Sequence, residues 1–273
     1  MTEMNQTAVR TIILHYHLFK NAGTSVDAIL KRNFGDKWVT QEFPPMGENN
    51  TALVEEWIRE TPEAVAYSSH TMMGAIPQLE GVRVISFMLL RDPFERIKSA
   101  YRFERTQQAD TWGAKLAKEH DFEGYVRARL ARPGDRQCRN FQTYRLASLM
   151  PSEGKELERA KHVLEELKVV GRVEAFDEAI ERLADVLATA YPKFSATKVK
   201  ANSSEGKSGV EMSDELARAL KVANADDLII LQAQQLLLPA VQAPRSRKNS
   251  GGMGAEMEMG VNGFALRTEL ILS

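Results

Sequence analysis

Residues 11–25 read TIILHYHLFKNAGTS, an apolar run followed by a short turn that contains a lysine, a glycine and two hydroxyl side chains. The run Thr11–Tyr16 predicts a buried strand. After the turn, apolar residues recur with helical spacing at Val26, Ile29, Leu30 and Phe34, and Gly35 marks the end of the helix. A helix N-terminus offers unpaired N–H groups, and Gly23 lets a ligand come close to the backbone. The stretch therefore predicts an anion site, with an ordinary turn and a surface lysine as the alternative.

A second strand of this kind lies in the middle of the chain. Residues 82–90, VRVISFMLL, are β-branched and then continuously apolar, which is typical of a strand covered on both faces. Shorter strands are predicted at 64–69 and 168–173. Further helices are predicted at 121–131, 138–149, 155–167, 176–190 and 213–237, the last broken near Asn224. Strands that alternate with helices predict an α/β fold of three layers, a parallel sheet flanked by helices.

The segment after residue 90 adds a second group of anion-binding side chains. Asp92 and Glu95 are spaced as a capping box at the start of a helix. Arg91 leaves the carboxyl end of the strand, where ligands collect in open parallel sheets. Ser99 and Arg96 fall on the polar face of the helix. A guanidinium and a hydroxyl can hold one phosphate between them, so Arg91 and Ser99 predict a phosphate clamp, with a surface arginine in a capping network as the alternative.

Composition limits the class of partner and compartment. The chain has 273 residues, with 36 Lys and Arg against 37 Asp and Glu, so no global positive charge attracts nucleic acid. The single cysteine fits a reducing compartment, and no apolar run reaches the length of a membrane span. We expect a cytoplasmic protein without a membrane anchor. We predict a single domain over residues 1–238 and a flexible or irregular tail over 239–273, rich in Gly, Pro, Met and charge.

Two motifs resemble those of a known family. HLFKNAGTS, residues 17–25, resembles the HxPKxxGTS stretch of sulfotransferases that use 3′-phosphoadenosine 5′-phosphosulfate (PAPS). LLRDPFERIKSAYRF, residues 89–103, is similar to their RDPxxRxxSxYxF stretch. The branch it resembles contains carbohydrate sulfotransferases such as heparan sulfate 2-O-sulfotransferase and bacterial relatives. The resemblance spans roughly residues 11–237, and in it Phe19 replaces a proline and Ala22 a glycine.

The resemblance implies a sheet like that of P-loop NTPases, PAPS as the donor and 3′-phosphoadenosine 5′-phosphate (PAP) as the product. It assigns the 5′-phosphosulfate to the turn residues Lys20, Asn21, Ala22, Gly23, Thr24 and Ser25. It assigns the 3′-phosphate to Arg91 and Ser99. Lys20 also suits the leaving oxygen, and a neutral sulfuryl group flanked by a cation and N–H donors needs no Mg²⁺, so we predict catalysis without a metal.

The acceptor hydroxyl has to lose a proton, and a histidine is the side chain best matched to that role near neutral pH. His70 follows the predicted strand 64–69, at the sheet edge where Lys20 and Arg91 emerge, and a histidine in a comparable segment is the base in the resembled branch. A histidine satisfied by loop hydrogen bonds is the alternative. Glu42 and Glu48 remain possible carboxylate bases.

Three further residues are weaker candidates. His17 is expected to share a strand face with His15. It could orient the donor there, but a structural role is the favoured interpretation. Arg145 could face the donor or acceptor sulfate, or be solvated or paired. Lys200, in the polar loop 197–207, could close over the adenosine phosphates or belong to an ordinary loop.

Two other functions compete with sulfuryl transfer. A P-loop kinase requires G-x-x-x-x-G-K-[ST], which the chain lacks. A catalytically inactive relative that binds a nucleotide or polysaccharide is the second alternative. The resemblance to the carbohydrate branch is the one reason to expect a carbohydrate or glycoconjugate acceptor. The sequence does not indicate an oligomeric state.

Overall fold

The computed structural model describes residues 9–44, 49–197 and 212–237. The strands in these residues are β1 (Arg10–Tyr16), β2 (Trp38–Thr40), β3 (Ala66–Ser69), β4 (Val82–Leu90) and β5 (Val169–Arg172). They form one sheet in the order β2–β3–β1–β4–β5, and all its pairs are parallel. The predicted tail, 239–273, lies outside the described residues.

The helices of the described residues are α1 (Gly23–Phe34), α2 (Thr51–Glu60), α3 (Pro93–Thr106), α4 (Trp112–Glu119), α5 (Phe122–Ala131), α6 (Phe141–Ala147), α7 (Glu156–Glu166), α8 (Phe176–Leu187), α9 (Asp214–Ala223) and α10 (Ala225–Leu237). Among the described residues, no helix combines the length and apolar character needed to cross a membrane.

Helices cover both faces of the sheet, as the alternation of strands and helices predicts. On one face Ile12 and Leu14 of β1 belong to an apolar core shared with α2, α6, α7 and α10. On the other face Ile13 packs in a core shared with α1 and α8. A third apolar cluster joins α3, α4, α5 and α9. The α/β fold of three layers is confirmed.

Three elements lie where the sequence predicts none. Strand β2 has three residues, too few for a period of two to show. Helices α2 and α4 were also missed. Helix α4 lies in a polar stretch, and its start is fixed by Thr111, whose hydroxyl accepts the N–H of Ala114 over 3.2 Å. The break predicted near Asn224 is confirmed, since α9 ends before that residue and α10 begins after it.

The start of α3 agrees with one half of its predicted capping box and differs in the other. Asp92 caps the helix by accepting the N–H groups of Phe94 and Glu95, as predicted. The reciprocal half of the capping box is wrong, because the N–H of Asp92 donates to Glu174 over 2.8 Å and Glu95 bonds Lys98 instead.

Arg96 was placed on the polar face of α3, and that was wrong, because the residue is fully buried. Its guanidinium donates to the side-chain and main-chain oxygens of Gln137 and lies over the ring of Phe141. These contacts replace solvent for a buried cation.

The sheet order brings three strand ends together. Strand β1 lies between β3 and β4, with Tyr16 opposite Ser69 on one side and Met88 on the other. The segments that follow these strands contain the Lys20 turn, His70 and Arg91. Three of the predicted site residues therefore emerge from adjacent strands at the carboxyl edge, where open parallel sheets bind ligands.

Candidate active site

The turn between β1 and α1 has an unusual backbone. Lys20 and Ala22 have φ angles of 63° and 58°, in the left-handed region. Ala22 is the N-cap residue of α1 and makes no side-chain cap. Gly23 and Thr24 open the helix, and N–H groups at these positions have no partner within an α-helix. The N–H groups of Gly23 and Thr24 therefore lie outside the helical hydrogen-bond pattern, a few residues after Lys20 in the chain.

The turn is tied to the end of β4 through a glutamine from α6. The buried side-chain amide of Asn21 donates to the carbonyl of Leu89 over 2.8 Å and to Oε1 of Gln142 over 2.9 Å. The same Oε1 accepts the N–H of Arg91 over 2.7 Å. The Arg91 guanidinium also donates to the carbonyl of Lys20 over 3.1 Å. The two predicted anion-binding stretches are therefore in direct contact.

Asn21, predicted among the donor-binding residues, is directed into the protein. Its main-chain N–H also donates to the carbonyl of Leu18, over 3.1 Å. Its buried Oδ1 has no hydrogen-bond partner among the described residues.

The Lys20 ammonium lies beside an aromatic pair. Nζ is 4.5 Å from the centroid of the Phe103 ring, which packs edge-on against Phe19 at 5.5 Å. Burial, and then the positive charge of Arg91, lower the pKa of Lys20. A half-buried cation next to a second cation favours an anionic ligand, which would relieve both effects.

Ser99 is half-buried in the second turn of α3, the helix that begins directly after the Arg91 segment. The charge of Arg91 reaches the first turn of the same helix. It contributes, after the hydrogen bond from Lys98, to lowering the pKa of Glu95.

His70 is exposed and is held by one carboxylate. Its Nδ1 lies 2.7 Å from Oε1 of Glu42, and its main-chain N–H donates to both oxygens of that carboxylate at 3.1 Å. Burial raises the pKa of Glu42, but the bonds from His70 and from the Thr71 hydroxyl outweigh it and lower that pKa overall. An ionised carboxylate only accepts, so Nδ1 of His70 carries a hydrogen. In the neutral imidazole, Nε2 is then the nitrogen with the lone pair that can take a proton.

Two further histidines, His15 and His17, lie directly behind His70. His15 and His17 donate from Nδ1 to the two oxygens of Asp27, each over 2.9 Å. Burial raises the pKa of Asp27, yet the bonds from the two histidines hold it well below its ordinary value. The His17 ring stacks on that of His70 with centroids 3.8 Å apart. The predicted common face of His15 and His17 is confirmed.

Among the described residues, His15, His17 and Asp27 are a group whose side chains could hold a metal ion. Ligand atoms of His15, His17 and Asp27 lie within 4.8 Å of one another. Each Nδ1–H already has a carboxylate oxygen as its acceptor, so hydrogen bonds alone account for the arrangement.

His17 also explains why position 23 is a glycine. A Cβ on Gly23 would lie 2.0 Å from Cδ2 of His17, which is an impossible contact. The sequence motif predicts the close approach of a ligand at this glycine. In the structure the neighbouring imidazole occupies the side-chain volume.

The guanidinium of Arg145, predicted as a sulfate contact, is used within the protein. It donates to the carbonyls of His70 and Met72, each over 2.9 Å, and burial lowers its pKa. The other candidates, Glu48 and Lys200, lie outside the described residues.

Two site residues were missed by sequence reasoning, Gln142 and Asp27. Glu42 was predicted as a possible base but not as the partner of His70. Gln142 lies in the stretch RNFQTYRL, residues 139–146, which has weak similarity to the same family. A polar residue in a short helix gives no sign by itself that it is buried, and its partners are 51 and 121 residues away in the chain.

Two comparisons with known proteins bear on the family of this chain. The profile of the sulfotransferase family matches residues 7–236. An uncharacterized protein of Archaeoglobus fulgidus is 38% identical over 203 residues, which cover 71% of this chain and 79% of that protein. The family match includes the Lys20 turn, His70 and Arg91.

Proposed function

Since the chain belongs to the sulfotransferase family, we propose that it transfers the sulfuryl group of PAPS to a hydroxyl-bearing acceptor and releases PAP. We further propose a carbohydrate or glycoconjugate acceptor, on the resemblance of the two motifs to the carbohydrate branch, and a cytoplasmic location, on the single cysteine. One observation carries the proposal: the Arg91 guanidinium bonds the carbonyl of Lys20 over 3.1 Å, so two cations predicted for one donor share a site.

The chemistry of the donor site fits PAPS. PAPS supplies an activated sulfuryl group on a 5′-phosphate and a second anion, the 3′-phosphate. Lys20, the N–H groups of Gly23 and Thr24, and the hydroxyls of Thr24 and Ser25 suit the phosphosulfate. Arg91 and Ser99 suit the 3′-phosphate, with the arginine able to give a bidentate contact.

His70 is proposed as the general base. Its Nε2 would accept the proton of the acceptor hydroxyl, while Glu42 holds the Nδ1–H and stabilises the imidazolium that forms. Lys20 would neutralise the charge that grows on the leaving phosphate oxygen. These groups provide a base and a cation without a metal ion, so we propose metal-independent transfer.

A radiolabelled-donor screen against oligosaccharides and small alcohols, with PAP release as the second readout, tests the proposal. Transfer to a sugar hydroxyl that persists in a chelator is the expected result. Transfer only to a phenol or a simple alcohol would contradict the carbohydrate part.

Calorimetry with PAP separates the competing functions. The absence of both heat and a thermal upshift would contradict donor binding. PAP binding without transfer to any acceptor would favour the inactive relative. Consumption of ATP that depends on Mg²⁺ would favour a kinase.

A further inference from the structure

We propose that helix α6 fixes the relative position of donor and base through two positioning residues, Gln142 on the donor side and Arg145 on the base side. This inference rests on the proposed function and adds a division of labour between the two residues. Neither residue is proposed to touch the substrates.

Gln142 is 1% exposed and joins both donor-binding stretches. Its Oε1 accepts from Asn21 in the Lys20 turn and from the N–H of Arg91, and its Nε2 donates to the carbonyl of Arg91 over 2.8 Å. Because one amide uses both its acceptor and its donor here, the side chain fixes the turn against the end of β4. An apolar replacement would leave several buried polar groups unpaired.

Arg145 holds the main chain around the proposed base. Its two terminal nitrogens donate to the carbonyls of His70 and Met72, one at the base itself and one two residues later. The N–H of Gly74 donates to the carbonyl of Ser148, just past the end of α6, over 2.8 Å. The segment that carries His70 therefore takes its position from this helix.

The start of α6 is itself held in place by a residue of α10. The fully buried carboxylate of Asp227 in α10 accepts the N–H groups of Gln142 and Thr143 and the Thr143 hydroxyl, over 3.2, 2.7 and 2.7 Å. Gln142 and Arg145 are three residues apart, and residues with that spacing are neighbours on a helix surface. One anchored helical turn thus sets the distance between the donor side and the base side.

Two pairs of variants of the full chain test the division of labour. Gln142→Leu is compared with Gln234→Leu, since Gln234 is an equally buried glutamine that donates to the carbonyl of Val170 in β5. Arg145→Met is compared with Arg10→Met, since Arg10 also donates to main-chain carbonyls, those of Ile58, Thr61 and Ala64, and none of these belongs to α6. PAP affinity by calorimetry and kcat of transfer are measured for all four, together with thermal stability.

Gln142→Leu is expected to weaken PAP binding about tenfold or more, while Gln234→Leu stays within about twofold of wild type. Arg145→Met is expected to lower kcat about tenfold or more, with PAP affinity within about twofold of wild type. Arg145→Lys, which keeps one donor within reach, should recover part of kcat. Gln142→Asn keeps the amide, so its PAP affinity should lie between those of Gln142→Leu and wild type. Gln142→Asn takes the place of Gln142→Leu if the leucine variant fails to fold.

The inference is wrong if each variant changes PAP affinity and kcat by the same factor, or if it behaves as its control does. A wild-type protein that does not bind PAP would instead contradict the proposed function itself. The two failures are distinguishable because PAP binding needs no acceptor.

Discussion

The carboxylate of Glu42 lies 2.7 Å from Nδ1 of His70 and also accepts the main-chain N–H of the same residue. A single acid therefore fixes both the tautomer and the position of the imidazole. Behind it, Asp27 holds His15 and His17 in the same way through their Nδ1 atoms. Two carboxylates thus pair with the Nδ1 atoms of three neighbouring histidines, and the outermost of the three, His70, is exposed to solvent.

His70→Ala should lower turnover about 10²–10⁴-fold, because it removes the group that takes the hydroxyl proton. PAP affinity should remain near that of wild type, since the donor residues lie on other segments. Steady-state rates and calorimetry with PAP measure the two effects. His162→Ala is the control, because His162 is an exposed histidine paired with Glu166 on α7. Equal turnover in His70→Ala would move the base assignment to a carboxylate, with Glu42 the first candidate.

Lys20→Ala should reduce transfer about 10²–10³-fold and weaken PAP binding only in part, since the free amide donors of the turn remain. A matched control is Lys118→Ala, which removes an exposed lysine from α4. Radiolabel transfer at saturating donor isolates the chemical step. A change confined to donor affinity would show that Lys20 binds the donor but does not assist departure of the leaving group.

Arg91→Ala should remove most of the preference of the protein for PAP over 5′-AMP, two ligands that differ by the 3′-phosphate. A charge-assisted bidentate contact supports about a tenfold or larger loss of PAP affinity, with 5′-AMP affinity little changed. Competition calorimetry with both ligands gives the difference directly. If both affinities fell equally, the side chain would act on the Lys20 turn through its carbonyl contact rather than on the 3′-phosphate.

The sequence was sufficient to predict a parallel sheet and the edge at which the candidate site lies, although β2 was missed. Apolar strands at 11–16 and 82–90, each followed by a turn and a helix, have local signals, and the rule for open parallel sheets then predicts that Lys20 and Arg91 lie together. The preference for His70 followed from the same rule, and its assignment as the base stays a prediction.

The contacts that complete the site could not be predicted in this way. Glu42 and His70 are 28 residues apart, and Gln142 and Asn21 are 121 residues apart. Such pairings depend on how strands and helices assemble, and no periodicity in the chain encodes them. Gly23 shows the same limit, because its local motif does not reveal that the imidazole of His17, directly after β1, fills the space where a Cβ at position 23 would lie.

Asp27→Asn should make stability less sensitive to acid. The native pKa of Asp27 is below its ordinary value, so the unfolded chain binds the proton first. Its contribution is complete at neutral pH and is lost as the pH falls below about 5 toward the native pKa. Burial lowers the pKa of His15, so protonation of this residue in acid lowers the stability of both proteins.

Urea unfolding at pH 7 and pH 3 should therefore show the variant less stable at the higher pH, with a smaller loss of stability between the two. Parallel losses in the two proteins would contradict this role of the carboxylate.

Ala22→Gly should stabilise the protein. Ala22 has a φ of 58°, where an L side chain costs about 1–2 kcal/mol, and a glycine avoids that cost at some expense in backbone entropy. The net gain should be roughly 0.5–1 kcal/mol in the free energy of unfolding. Ala219→Gly, in the exposed middle of α9, is the matched control and should lose about 1 kcal/mol. Urea unfolding of both variants gives the comparison, and a loss at position 22 equal to that at position 219 would show that the left-handed turn carries no strain.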